Sequence, residues 1–133
     1  MQERVPYEYA VLRVVPRVER AEFVNAGVIV FAKQRKLLAA RIHLDEDRLR
    51  ALWPAADVES IRRHLEAVDR VCKGDADGGP IAKMSQSERF HWLTSPKSAV
   101  IQVSPVRTGL SAEPEKVLET LASELVGTPA KTQ

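Results

Sequence analysis

The stretch ERAEFVNAGVIVF, Glu19 to Phe31, constrains the fold of this chain more than any other. Its first half is a charged loop. Its second half is an uninterrupted apolar run rich in β-branched residues, the composition of a strand buried on both faces. Such a strand has to lie inside a sheet and be approached through that loop. Between the halves, Asn25 can bond its own backbone and Gly27 is free to take unusual dihedrals.

Around this strand the chain reads as one domain. At 133 residues, 44% hydrophobic and 29% charged, it is long enough to bury a core without disulfides or metals, and too apolar for extended disorder. The ordered core is expected over about 5–126, with a frayed tail at 127–133. Cys72 is the one cysteine, which rules out an intramolecular disulfide and fits a reducing cytoplasm. The opening residues MQERVPYEYA lack the apolar core of a signal peptide, and no run is long enough to span a membrane. Charge is uneven: residues 1–41 hold eight Lys/Arg against four Asp/Glu, and the remainder twelve against fourteen. Weak nucleic-acid binding by the basic N-terminal half is therefore one reading, although a dense basic stripe is missing.

Period-two patterning at Tyr7–Val15, Ala26–Lys33 and Leu37–Leu44 predicts a three-stranded antiparallel meander, with Leu38, Ala40, Ile42 and Leu44 on one face. The pattern then changes to a helical one. Asp45 is the expected N-cap of a short helix ending at Pro54. Asp57 caps a longer one, in which Val58, Ile61, Leu65, Val68 and Cys72 share a face until Gly74 stops it. Cys72 is thus expected as a packed thiol. Ser85 and Glu88 match a capping box for a helix carrying Phe90, Trp92 and Leu93. Ala99–Val103 reads as a later fourth strand, Ser104–Ser111 as turn-rich, and Pro114–Val126 as the last helix. The fold class is α+β, with helices packed mainly on one face of the sheet.

Familiar catalytic signatures do not occur. The chain has no glycine-rich phosphate loop, HExxH, CxxC or GxSxG, and His43, His64 and His91 fall on different elements. The Asp75 and Asp77-Gly78 loop lacks the later ligands of a calcium site, so neither a metal nor a cofactor is expected. Two segments remain. In the first, Glu22 stands beside the buried strand and, if turned inward, needs a cation. Arg13 on the preceding strand is the expected partner, in a clasp that braces the hairpin. The second, FHWLTSPKSAVIQVSPVRTG, surrounds a strand with hydroxyls and with Lys97 and Arg107, which suits an anion.

The segments YEYAVLRVVPRVERAEFVNAGVIVF, LLAARIHLDEDRLRAL and GPIAKMSQSERFHWLTSPKSAVIQVSPVRTGL together resemble the bacterial domain-of-unknown-function family 3037, over nearly the whole chain. The resemblance marks Tyr9, Arg13, Arg20, Glu22, Asn25, Gly27 and Val28, and later Arg89, Phe90, Trp92, Pro96, Ser98, Pro105 and Gly109. It implies little about activity. Some relatives are encoded beside HipA-like kinases, so it implies an accessory role with a protein partner of that kind. Where the family carries His, this chain has Arg107, and where it carries Arg, this chain has Lys97. A guanidinium does not surrender its proton, so Arg107 can bind an anion but cannot act as a base.

The leading expectation is a cytoplasmic, non-enzymatic binding or accessory module. It would engage a protein or an anionic ligand through Arg13, Arg20, Lys97 and Arg107. The alternative is a hydrolase or nuclease-like enzyme using Glu22 and His91, with Asn25 positioning substrate. That alternative requires Glu22 and His91 to share a concave pocket.

Overall fold

The computed structural model describes residues 3–96 and 99–127. One antiparallel sheet contains β1 (Val5–Val14), β2 (Val24–Ala32), β3 (Leu37–Ile42), β4 (Ile101–Val103) and β5 (Arg107–Ser111). Its order is β3-β2-β1-β4, with β5 also paired to β1. Helices α1 (Glu46–Leu52), α2 (Val58–Lys73), α3 (Gln86–Thr94) and α4 (Pro114–Leu125) complete a single α+β domain.

β2 is covered on both sides, as its composition requires. Ile29 and Phe31 pack with Leu12, Leu38 and Ala40 against Val71 and Cys72 of α2 and Phe90 and Leu93 of α3. Along the same face Val14 and Ala26 meet Leu49, Val58, Ile61 and Leu65. On the other face Val28 and Val30 lie under Leu118 and Val126, with Leu121 and Leu125 beside them. Among the described residues, three helices thus share one face and α4 alone covers the other. Full burial of each such side chain contributes about 2 kcal/mol. Gly27 does not take a positive φ. It is needed because a Cβ there would stand 2.8 Å from the Arg41 carbonyl oxygen. Its neighbourhood is irregular all the same: the register shifts between Leu12 and Arg13, leaving Ala26 as an extra residue on β2.

The helix ends follow local chemistry. Asp45 and Asp57 accept hydrogen bonds from the Arg48 and Ser60 amides, each at 3.1 Å. Ser85 and Glu88 form the capping box in both directions, and Gly74 closes α2 in the left-handed region.

The segment expected as turn-rich, Ser104–Ser111, is instead largely strand. Between the pairs Leu12–Val103 and Tyr9–Arg107, β1 has two residues and the outer chain three. β4 and β5 are therefore two halves of one edge strand interrupted by a bulge at 104–106. Pro105 is tolerated there because an edge bulge needs no amide donor. The buried Ser104 fills the gap, its Oγ accepting from the Val11 amide at 2.8 Å. Gly109 is required because Tyr7 lies across it, and a Cβ would meet the tyrosine ring at 2.5 Å.

Arg89 is buried without a carboxylate partner among the described residues. Its guanidinium donates to the carbonyls of Val71 (2.7 Å), Cys72 (2.8 Å) and Met84 (3.0 Å). The first two are C-terminal carbonyls of α2, where the helix dipole favours a cation; Val71 also accepts from the Gly74 amide at 3.2 Å. Replacing Arg89 by Met removes all three bonds and leaves Val71 with the Gly74 amide alone. Denaturant unfolding should register a loss of about 3 kcal/mol; a change too small to measure would contradict this role. Cys72 is packed beside it, its thiol pushed up to about 12, chiefly by burial and further by Asp69, with Arg89 opposing. Alkylation by iodoacetamide at pH 8 should be at least about a thousandfold slower in the native protein than after unfolding. Rapid native labelling would show that the thiol is not packed.

Candidate functional site

A cleft of about 660 Å³ runs between α2 and the edge of the sheet, within the range of ligand sites. One wall is a single side of α2, from Asp57 through Ser60, His64 and Ala67 to Val71, about 20 Å of helix. The opposite wall is the chain from Ala99 to Val103. Trp53 and Pro16 line it along with Trp92 and Leu93, and Leu12 belongs to the lining as well. Trp92 and Val100 stay exposed in this lining, at 41% and 40%.

The sequence builds these walls by ordinary means. The period of α2 puts Ile61, Leu65 and Cys72 into the core and leaves the flank of Ser60, His64 and Ala67 facing the gap. Pro54 follows the C-cap of α1 directly and leaves Trp53 half-buried with its ring beneath the Arg17 guanidinium, at 4.7 Å. His64 Nδ1 stands 2.7 Å from the Ser60 carbonyl oxygen. A carbonyl only accepts, so Nδ1 is the donor in this contact.

β4 brings backbone to the cleft as well as side chains. The Val15 amide donates to the Val100 carbonyl at 2.6 Å, and the Ser104 amide to the Val11 carbonyl at 2.9 Å. In an antiparallel ladder such pairs alternate. Residues 100, 102 and 104 therefore turn their backbone groups towards β1, and Ile101 and Val103 turn theirs outward. No described residue bonds them there. The side chains of Ile101 and Val103 pack toward Leu12 and the α2 side, in the cleft wall.

The residues singled out from the sequence lie elsewhere, and one pairing is corrected. Glu22 does not clasp Arg13. It is exposed and pairs with Arg20, whose Nε donates to it at 2.5 Å. That hydrogen bond holds the Glu22 carboxyl below its usual range and raises Arg20. The loop turns outward at Ala21, which takes a left-handed conformation (φ 58°) and carries Glu22 into solvent. Arg13 instead stacks against Phe23 at 4.3 Å, with its Nε buried and without a hydrogen-bond partner. Asn25 donates to the Leu125 carbonyl at 3.0 Å, tying down the end of α4. His91 is exposed, because Arg89, Phe90 and Leu93 take the inner side of α3. Glu22 and His91 line neither the cleft nor the smaller groove between β3 and α4. Arg107 is exposed on β5, and Lys97 lies outside the described residues. Arg13 and Arg107 share a sheet face, since Arg107 pairs with Tyr9, four residues before Arg13 on β1.

Sequence reasoning missed Trp53, His64 and the outer edge of β4. Two tryptophans in a chain with 5% aromatic residues were the available signal.

Among the described residues no helix is long and apolar enough to cross a membrane. No curated protein and no solved structure matches the chain. A family model described as "Protein of unknown function (DUF3037)" matches residues 9–126. That span takes in almost the whole of the sheet and all four helices, and the chain belongs to this family.

Proposed function

We propose that this chain is a cytoplasmic bacterial binding module, not an enzyme, and that it engages a partner protein by taking an extended segment of it into the cleft. The reading rests on one observation: Ile101 and Val103 offer backbone groups on the outer side of β4 that no described residue bonds, while their side chains form part of an apolar wall. An extended segment laid along that edge gains main-chain hydrogen bonds. Its alternate side chains enter the cleft, which is how strand addition obtains both affinity and selectivity. An apolar wall without backbone groups would suit any greasy molecule; the two together favour a polypeptide. Trp53 and Trp92 supply the large, stiff surfaces on which binding energy concentrates. A HipA-like kinase is the first partner to try, on the strength of the family resemblance.

The test is a titration of 15N-labelled protein with a capped peptide of alternating threonine and valine. Amide shifts at Ile101 and Val103, with shifts of both tryptophan indole signals, are expected, and Trp92→Ala should weaken binding at least about tenfold. Shifts confined to Arg13, Arg20 and Arg107, or no binding, would overturn the reading. So would binding of an apolar dye such as anilinonaphthalene sulfonate in the cleft by a protein that ignores the peptide.

A further inference from the structure

A strand added to β4 has two sides, and the cleft accounts for only one. Side chains alternate along it, so those between the cleft-facing positions emerge on the opposite sheet face, level with Gln102. α4 covers that face chiefly over β2 and β3: its leucines pack with Val28, Val30, Leu37 and Ala39, and Tyr7 and Tyr9 of β1 border the same cluster. The face of β1, β4 and β5 beyond it carries Arg13, which pairs with Gln102, and Arg107, which pairs with Tyr9.

Neither arginine has a carboxylate partner among the described residues. Glu22, on the loop beside Phe23, is already taken by Arg20. Arg13 is held under Phe23 with its Nε lacking any acceptor. Arg107 is exposed on the edge strand itself. A neighbouring strand would run about 5 Å from Arg107 and about 10 Å from the backbone of Arg13, within reach of side chains at both ends and close to one screening length. The face that receives the intervening side chains is thus cationic and uncompensated.

Resting on the strand-addition reading, we propose that the partner segment alternates apolar residues with acidic ones. Its apolar positions enter the cleft beside Ile101 and Val103, and its Asp or Glu positions lie over Arg13 and Arg107. Electrostatic complementarity of this kind selects among segments that would all fit the cleft.

Three capped peptides of one length test it, each with valine at alternate positions and Glu, Gln or Lys between. Titration of 15N-labelled protein should place all three in the cleft. The Glu peptide is expected to bind about tenfold more tightly than the Lys peptide, with Gln between. The spread should shrink in 0.5 M salt and in Arg107→Gln, an exposed change that leaves the core intact. Equal binding, or tightest binding by the Lys peptide, with cleft shifts retained in every case, would overturn the acidic pattern and leave strand addition standing. Failure of all three to move Ile101 and Val103 would remove both. Cleft signals that shift with protein concentration alone would make the occupant a second copy of this chain and overturn the proposal.

Discussion

Val28 and Val30 point into one helix layer and Ile29 and Phe31 into the other, so β2 must be covered twice. That requirement organises the molecule. It places β1 and β3 on either side of β2 in the sheet, sends α1, α2 and α3 to one face, and brings α4 back to the other. The last helix is fixed in turn by polar detail, with Asn25 at the entrance of β2 bonding the carbonyl of Leu125. Arg89 does the same for the opposite layer, joining α3 to the end of α2 through carbonyls alone.

Covering β2 does not cover the rest of the sheet. The helices are centred on β2 and β3, and the far side of β1 carries only the divided strand β4–β5. On the α2 side this leaves a trench between helix and edge; on the α4 side it leaves a strip bearing Arg13 and Arg107. Both openings follow from the same off-centre packing. Edge strands are liabilities that proteins blunt with bulges, prolines and charge. Here Pro105 and the bulge protect the middle of the edge, while Ile101 and Val103 are left open beside an apolar wall. An edge protected in one place and open in another is consistent with use of the open part.

Much of this architecture was legible before any coordinates. Asp45, Asp57, Ser85 and Gly74 act through local chemistry that depends on a few adjacent residues, and each occupies the capping position its type suggested. The two-sided burial of β2 was legible for the same reason, as a matter of composition over one run. What depended on distant contacts was not. Pro105 and Gly109 looked like turn residues, yet one sits in an edge bulge and the other beneath the Tyr7 ring. The Arg13–Glu22 clasp failed because a left-handed turn at Ala21 sends Glu22 to Arg20. The cleft could not be read at all: it is a gap between elements separated by some forty residues, and an absence of packing leaves no local pattern.

Residue-resolved amide hydrogen exchange of the free protein tests the account most directly, because it reports which backbone groups are bonded. The account predicts alternation along the edge. The amides of Gln102 and Ser104 should be protected by β1, and those of Ile101 and Val103 should exchange nearly as fast as an open chain. Strong protection at Ile101 and Val103 would mean that the edge is already occupied, and would contradict the account.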